Sequence, residues 1–456
     1  MPPSVFPTGT TIYDPARCWN GFTLFQTELH RNHGRGAILI DMNGNAVHRW
    51  QGLDGFPNKM LPGGHIMGST GVRNMKYGYQ DMLDLVEADW EGNIVWKFDN
   101  YELVKDPRQK PRRMARQHHD YQREGNPVGY YAPGLEFKPG GKTLLLCHKN
   151  LKNPNISDKL LADDTIIEVD KNGRITWEWL CSEHFEEMGF SARAKTSLRR
   201  NPGLKPAGGG VGDWMHMNSM STLGPNRHYD AGDERFHPDN IIWDGRQTNI
   251  TAIISKKSGN IVWQIGPEFN AAKALRAIGQ IIGQHHAHLV PRGLPGEGNI
   301  LVFDNGGAAG YGAPNPAAPQ GIDNARRDFS RVLELDPITL EIKWQYPPPG
   351  PGAGRLYSAF VSAAQRLPNG NTMITEGNGG RIIEVTREGE TVWEYVSPYP
   401  HRMLKFTLIY RAYRVPYAWA PVAKPEEKAV PRIDNNKFRV PGSPQALKER
   451  VTRLRI

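Results

Sequence analysis

Apolar and polar residues alternate in six similar segments, each of which continues through a turn into a strand that closes on tryptophan. The segments are ILIDMNGNAVHRW, LVEADWEGNIVW, IIEVDKNGRITW, IISKKSGNIVW, LELDPITLEIKW and IIEVTREGETVW, which end at Trp50, Trp96, Trp177, Trp263, Trp344 and Trp393. Five of the six turns contain glycine, which accepts the positive φ that a tight hairpin turn requires. Each segment is therefore predicted to be a β-hairpin.

The spacing of these hairpins predicts the fold. One hairpin repeated at long intervals indicates a solenoid or a propeller. The first and last intervals are 46 residues (50 to 96) and 49 residues (344 to 393), close to the roughly 50-residue blade of known propellers. The three inner intervals are 81, 86 and 81 residues, so these blades carry insertions. We predict an all-β, six-bladed β-propeller with long inserted loops and helices.

The repeat also sets the predicted boundaries. Residues 1–20 are predicted to be an N-terminal arm whose TIYDP segment pairs with the last blade and closes the ring, which removes an open sheet edge. Residues 21–400 form the predicted propeller, and residues 401–456 an extended C-terminal arm. Helical spacing predicts two inserted helices, at 181–198 and 268–282.

Composition narrows the class of protein. The net charge of +9 and the pI of about 9.3 favour anionic partners, but no nucleic-acid-binding motif is visible. No run of about 18 apolar residues is present, so no membrane span is expected. The N-terminal segment lacks the pattern of a signal peptide, and Cys18, Cys147 and Cys181 are expected to be reduced thiols. These features favour the cytoplasm, and the arm-like tail is compatible with a homodimer.

Candidate chemistry lies in the segments expected to line the central channel, where one polar residue from each blade can converge. RQHHDYQ contains His118 and His119, GDWMHMNSM contains His216 and Asn218, and GQHHAHLVP contains His285, His286 and His288. Counting back from the following proline places Ser362 where the third segment has His285. We predict that His119, His216 and His285 share one register in three successive blades. Other histidines, His148 and His228 among them, are interpreted as surface or satisfied core residues.

Three converging imidazoles support two kinds of chemistry. They can bind a metal and leave an open position, because histidine is the commonest metal ligand. Alternatively, one imidazole is a nucleophile while the others hold an anionic group, and a guanidinium then favours sulfate or phosphate. Arg246, in DNIIWDGRQTN, is the candidate guanidinium.

The chain resembles the bacterial arylsulfotransferases over roughly residues 8–400. The resemblance lies in the ordered set HHDYQ, DWMHMNS, DNIIWDGR, TAIISKKSGNIVWQIG, QHHA, GNILVFDNG, SRVLELD, QRLPNGN, GRIIEV and EGETVWEY. It implies a six-bladed propeller that transfers a sulfuryl group between phenols, with no nucleotide donor and no cofactor, through a transiently sulfated histidine. On this resemblance His285 is the nucleophile, and His119, His216 and Arg246 grip the sulfuryl oxygens.

The predicted partner is a small, anionic aromatic molecule, with no nucleic acid and no membrane involved. His118, Asn218, His286, His288 and Ser362 are the residues predicted to contact the substrate. Where the family commonly has QHDA this chain has QHHAH, which makes the centre richer in histidine. The alternative prediction is therefore a metalloenzyme in which His119, His216 and His285 bind copper, iron or zinc for lyase or oxidative chemistry. A third hypothesis is a non-enzymatic propeller that binds a protein partner.

Overall fold

A computed structural model describes residues 8–28, 35–73, 80–203, 212–307, 309–311, 327–350, 356–399 and 407–432. Six four-stranded antiparallel blades form a ring, so the predicted six-bladed β-propeller is confirmed. From the axis outwards, blade 1 contains β27 (Ala412–Val415), β2 (Phe22–Glu28), β3 (Arg35–Ile40) and β4 (Ala46–Gln51). Blade 2 contains β5 (Lys59–Met60), β6 (Ile66–Gly68), β7 (Leu85–Ala88) and β8 (Ile94–Phe98).

The other four blades follow in chain order. Blade 3 contains β11 (Gln117–Arg123), β12 (Thr143–Asn153), β13 (Ser157–Val169) and β14 (Ile175–Leu180), and blade 4 contains β15 (Met217–Thr222), β16 (Ile241–Gly245), β17 (Ile250–Ile254) and β18 (Ile261–Ile265). Blade 5 contains β19 (His285–Leu289), β20 (Ile300–Asp304), β21 (Arg331–Leu335) and β22 (Ile342–Tyr346). Blade 6 contains β23 (Ala363–Arg366), β24 (Thr372–Glu376), β25 (Arg381–Val385) and β26 (Thr391–Val396), with β1 (Gly9–Tyr13) on its outer edge.

The segments outside the blade strands contain short helices, 3₁₀ turns and one additional hairpin. Strands β9 (Glu102–Val104) and β10 (Arg112–Met114) form a hairpin. The helices are α1 (Ala192–Arg200), α2 (Arg227–Asp230) and α3 (Lys273–Ile278), and 3₁₀ turns span Pro62–Gly64, Cys181–Met188, Glu234–Phe236, Gly377–Gly379 and Tyr417–Trp419. None of the helices among the described residues has the length and hydropathy needed to cross a bilayer.

The six repeats are the outer hairpins of the six blades, as predicted. The five turn glycines have φ between 75° (Gly173) and 88° (Gly92), and in the sixth turn Leu340 adopts φ 60°. Glycine therefore fits five of the turns at little steric cost, while the sixth accepts a left-handed leucine.

The repeated tryptophan joins each blade to the next one. In every blade an indole N–H donates to a backbone carbonyl in the outer hairpin of the following blade, and the last bond, from Trp393 to Met42 at 2.7 Å, returns to blade 1. The other donors are Trp50, Trp96, Trp179, Trp263 and Trp344. Blade 3 uses Trp179 in place of Trp177, two residues further along the same strand. Five of these indoles are buried and that of Trp96 is half-buried, and the six satisfied N–H groups link the blades into a closed circle.

Ring closure uses both ends of the described chain. The pairing of TIYDP with the last blade is observed, because β1 pairs with β26 in blade 6. The predicted boundary at residue 400 is wrong, since β27 is the innermost strand of blade 1 and pairs with β2. This strand lacks the hairpin pattern, so only its pairing reveals it. The arm beyond residue 432 lies outside the described residues.

The predicted helices are shorter than expected. The 181–198 segment is divided at Gly189, whose φ of 69° ends the 3₁₀ turn before α1 begins. The 268–282 segment contains only α3, which ends before Gly279 at φ 75°. A left-handed glycine terminates a helix in both cases. The three cysteines are free, with Cys147 and Cys181 buried and Cys18 half-buried.

Candidate active site

The axis of the propeller brings the three predicted histidines into one buried region. His119 lies on β11, His216 immediately precedes β15, and His285 begins β19. The rings of His119 and His216 contact each other, with centroids 4.6 Å apart and planes inclined by 67°. Burial lowers the pKa of His285, and the charge of Arg246 lowers it further. His119 and His216 are thus in contact, and both interact electrostatically with His285. The roles of His119, His216, His285 and Arg246 stay predictions.

The predicted common register is wrong for His216. The inner strands can be aligned through equivalent pairs, for example Arg123 with Thr143 and Leu289 with Ile300. Four positions before these residues (123 to 119, 289 to 285) stand His119 and His285. The same count in blade 4 gives Asn218, and in blade 6 it gives Ser362.

His216 reaches the cluster by a local distortion of the chain. It lies two residues before Asn218, with φ 54° and a register shift between Met217 and Ser219. His119 and His286 have the same left-handed backbone, with φ 55° and 57°. Such conformations cost about 1–3 kcal/mol each and persist where the surrounding structure enforces them, commonly at functional sites.

Two aromatic residues that the sequence analysis missed complete the region. Counting four positions back from the aligned residue of the inner strand gives Phe56 in blade 2 and Tyr410 in blade 1. Their rings lie 4.4 Å apart. Phe56 lies 5.5 Å and Tyr410 5.7 Å from the ring of His119. They give the imidazoles an apolar wall of the kind that suits an aromatic ligand. Applying the register count to all blades would have found Phe56, but not Tyr410, whose strand was unrecognised.

Hydrogen bonds determine which nitrogen of His285 carries the proton. Asn305 donates its Nδ2 to the carbonyls of Ser358 and Val361, at 2.7 and 2.8 Å, so its Oδ1 is an acceptor. That oxygen lies 2.7 Å from His285 Nδ1, which therefore holds the proton. Nε2 is then the lone-pair nitrogen, and it accepts a hydrogen bond from Val361 N at 3.2 Å. Burial keeps this imidazole neutral by lowering its pKa well below the ordinary range.

His216 and His119 are each oriented by a neighbouring group. His216 Nδ1 lies 2.5 Å from Asp213 Oδ2, an Asp–His pair that leaves Nε2 available for proton transfer. His119 Nδ1 lies 2.8 Å from His118 Nδ1, so one of these nitrogens donates to the other. Burial lowers the pKa of His119 well below its ordinary value, and His216 and His118 lower it further.

Arg246 is the charged group of the region. Its side chain is buried and its backbone N–H donates to the carbonyl of His216 at 3.0 Å. Its Cγ lies 3.9 Å from the point that a Cβ would occupy if Gly283 carried a side chain. Gly283 stands two residues before His285. Burial lowers the pKa of Arg246 to about 10, with Asp213 opposing the change, so the guanidinium is protonated at neutral pH.

The remaining predicted substrate contacts lie in four different surroundings. Asn218 donates Nδ2 to Gln284 O at 3.2 Å, and its Oδ1 has no hydrogen-bond partner among the described residues, so it can accept one from a ligand. Ser362 is turned away, because its hydroxyl accepts from Gly377 N at 3.0 Å. His118 lies behind His119 and directs Nε2 towards Asp164, 3.0 Å away.

His286 and His288 belong to a separate polar layer next to the histidine region. Their rings lie 4.5 Å apart, and His286 Nδ1 donates to Ala364 O at 2.9 Å. In the same layer Asp120 pairs with Lys59 at 2.6 Å and with Arg411 at 2.9 Å. Both histidines are therefore bound within the protein, and nothing in their contacts indicates substrate binding.

Because the imidazole of His288 is buried in its neutral form, we expect the protein to lose stability in acid. Its Nδ1–H donates to His286 O at 2.9 Å and its Nε2 accepts from the Tyr130 hydroxyl at 2.8 Å. Burial lowers the pKa of His288 to about 4, with the His286 carbonyl opposing the shift; Arg411 and Lys59 lower it and Asp120 raises it. In the unfolded chain this imidazole binds a proton near pH 6.5. The contribution of His288 to the free energy of unfolding therefore falls by about 3 kcal/mol between pH 6.5 and 4.

Urea unfolding of wild type and His288→Gln at pH 7, 5 and 4 measures this effect. The variant is expected to lose less free energy of unfolding than wild type over that range, since it lacks the proton uptake of this imidazole. Equal losses in the two proteins would contradict the assignment.

His148 was interpreted as an ordinary core or surface residue, and the structure places it in a buried cluster. Its ring stacks on His118 with centroids 3.7 Å apart. Burial lowers the pKa of His148, but Asp213 and Asp81 together outweigh burial and raise it to about 10. A further observation bears on the predicted metal site. Among the described residues, only His118, His148 and Asp164 bring three ligand atoms within 4.8 Å of one another, so His119, His216 and His285 do not form such a set.

Comparison with known proteins adds a family match. The family model described as Arylsulfotransferase (ASST) matches residues 134–398, which is more than half of the chain. No curated protein matches the chain.

Several solved structures are similar to the chain at low sequence identity. A protein of unknown function from Bacteroides caccae is 12% identical, with 87% of this chain and 99% of that chain covered and a TM-score of 0.43. The Cps50 (Swd1) β-propeller domain from Myceliophteria thermophila is 9% identical, with 87% and 88% covered and a TM-score of 0.37. Apo AztD from Citrobacter koseri is 10% identical, with 87% and 98% covered and a TM-score of 0.37. No functional conclusion follows from these similarities.

Proposed function

Since the chain belongs to the arylsulfotransferase family, we propose that it transfers a sulfuryl group from an aryl sulfate to a phenol through a sulfated His285. The observation that carries the proposal is the fixed tautomer of His285. Asn305 holds the proton on Nδ1, so that Nε2 carries the lone pair, and the charge of Arg246 acts on the same imidazole. A neutral imidazole with a free lone pair is a competent nucleophile.

In the first half-reaction, His285 Nε2 attacks the sulfur of the aryl sulfate as the bond from sulfur to the phenolic oxygen breaks. The hydrogen bond from Val361 N to Nε2 must open for this attack, and the same N–H can then donate to a sulfuryl oxygen. Arg246 and His119 stabilise charge on the transferring oxygens. His216, oriented by Asp213, gives a proton to the departing phenolate.

The second half-reaction is the reverse of the first. His216 removes the proton from an acceptor phenol, whose oxygen attacks sulfur while the bond from sulfur to Nε2 breaks. His285 returns to its neutral state and the aryl sulfate product leaves. No nucleotide and no catalytic metal is needed for either step. The wall formed by Phe56 and Tyr410 supports an aromatic substrate, because both rings lie against His119.

Trapping the intermediate tests this function directly. With 4-nitrophenyl sulfate and no acceptor phenol, the full chain is expected to release one equivalent of nitrophenolate and to gain one SO₃ group. Peptide mapping at alkaline pH, where sulfated imidazole survives, should locate the group on His285. His228→Gln is the matched control, since His228 is buried on α2 and its ring bonds Gly298 O; it should be labelled like wild type. Absence of label, or label on another residue, would refute the sulfohistidine.

The metalloenzyme alternative has less support at these residues. Copper, iron or zinc would require ligand atoms of His119, His216 and His285 to approach one another, and these three do not meet that condition among the described residues. The chain is therefore proposed to work as a transferase with a small anionic aromatic substrate.

A further inference from the structure

A second cluster of titratable side chains lies behind His119, and the proposed sulfuryl transfer does not use it as a catalytic group. It consists of His118 on β11, His148 on β12 and Asp164 on β13, three adjacent strands of blade 3. All three are buried, and one ligand atom of each lies within 4.8 Å of the others. We propose that His118, His148 and Asp164 bind a single divalent first-row transition-metal ion.

Unused ligand atoms are the first argument. His118 Nε2, His148 Nε2 and Asp164 Oδ1 are buried, and none of them makes a hydrogen bond within the described part of the chain. A buried polar atom without a partner costs about 1–3 kcal/mol, so three at one place are not expected in an empty protein interior. One cation at their centre would satisfy all three together.

The distances agree with coordination. Asp164 Oδ1 lies 3.0 Å from His118 Nε2 and 3.8 Å from His148 Nε2. Zinc–ligand bonds of about 2.0–2.1 Å in a tetrahedron place neighbouring ligand atoms about 3.4 Å apart, between these two values. Asp213 adds a carboxylate oxygen, since its Oδ1 lies 3.7 Å from His148 Nε2. Two imidazoles with one or two carboxylates suit zinc or another borderline divalent ion.

Charge favours a cation at the same point. Asp164 is fully buried, and among the described residues no lysine or arginine forms an ion pair with it; its titratable neighbours are His118 and His148. Its other oxygen accepts a hydrogen bond from Met217 N at 3.3 Å, and from no other group in the described ranges. A buried carboxylate requires a partner charge or a metal ion. Nearby Asp81 differs, because Arg116 and Arg73 neutralise it at 2.7 and 3.2 Å.

The contact behind His118 completes a metal-site pattern. A metal-bound histidine donates its other N–H to an outer acceptor, which fixes its ring. His118 Nδ1 lies 2.8 Å from His119 Nδ1 and would be that donor. His119 must then carry its own proton on Nε2, directed away from His118. The ion would thus determine that His119 donates through Nε2 in the axial region. The ion itself would not touch the reacting atoms.

Metal binding is measured on the full chain, produced with a histidine-free tag and purified without chelator. Inductively coupled plasma mass spectrometry is expected to find about one equivalent of one transition metal per protein chain. After removal with dipicolinate, calorimetric titration with Zn²⁺ should show one site, and the melting temperature should rise on binding. X-ray absorption of the zinc-loaded protein should show two imidazoles and oxygen ligands.

Variants separate this site from surface binding. Asp164→Asn and His148→Gln are expected to weaken zinc binding at least about 100-fold, and His228→Gln should bind as wild type does. If either ligand variant does not fold, the wild-type titration still decides. No uptake of Zn²⁺, Mn²⁺ or Fe²⁺ by stripped wild type would overturn the proposal and identify a proton-balanced His–Asp cluster. Unchanged affinity in both folded variants would overturn it as well. Neither result depends on sulfuryl transfer. The metal-site proposal and the proposed activity can therefore be refuted independently of each other.

Discussion

Replacing His285 with glutamine is expected to abolish turnover of an aryl sulfate, with kcat reduced at least about 10³-fold, or about 4 kcal/mol in activation free energy. Glutamine can keep a polar contact with Asn305, but it has no ring nitrogen with a lone pair to attack sulfur. Asn305 and Val361 hold the wild-type imidazole at both nitrogens, so its loss removes the nucleophile and leaves the strand pairing of β19 intact. Steady-state release of nitrophenolate, with and without an acceptor phenol, measures the effect.

Two comparisons make the result specific. His228→Gln removes another buried histidine and should keep wild-type kcat, because its ring bonds Gly298 O in the loop between β19 and β20. Urea unfolding of His285→Gln should show that the protein still folds cooperatively. If the variant retains more than a tenth of wild-type kcat, His285 is not the nucleophile.

Replacing Arg246 with methionine is expected to lower kcat by about 10²–10³-fold, the usual effect of removing one donor to developing oxyanion charge. The methionine side chain fills much of the space of the arginine stem beside Gly283 but carries no charge. Because the guanidinium acts on the transferring oxygens, kcat should fall more than KM rises. Arg246→Lys should be intermediate, since lysine keeps the charge and loses the planar fork.

Arg235→Met is the control for this series. Arg235 pairs with Asp233 in an exposed turn of blade 4, so its removal should leave kcat and KM unchanged. The variant is informative because it removes the same group from the same blade. An Arg246→Met enzyme with unchanged kcat and a raised KM would instead assign Arg246 to ground-state binding of the substrate.

The outer blade hairpins were predictable because the forces that form them act over a few residues. β-branched residues in alternation specify a strand, and a glycine such as Gly92, at φ 88°, specifies the turn. The repeated tryptophan was visible in the sequence, but its role was not. Trp393 donates to Met42 in another blade, 351 positions away, and only ring closure brings these two residues together.

The candidate site was predictable in part. Histidine pairs in the inner strands indicated His119 and His285, while His216 was expected at their register and instead stands two positions earlier, before a bulge in β15. Bulges of this kind depend on neighbouring blades and have no clear sequence pattern. His148, interpreted as a surface or satisfied core residue, is buried in the core, but its neighbours could not be predicted. Nothing near it in the chain shows that β12 places it against His118 and Asp164.

The sequence by itself determined the number of blades, the position of each outer hairpin and the histidine-rich inner strands. These features follow from local backbone preference and side-chain alternation, and the chain carries both within each repeat. Tertiary structure decided which strand closes blade 1, which nitrogen of His285 carries the lone pair, and which buried atoms of blade 3 meet. Tyr410 reaches the carbonyl of His119 across 291 positions of chain. Contacts at that separation depend on how six independent sheets pack around one axis.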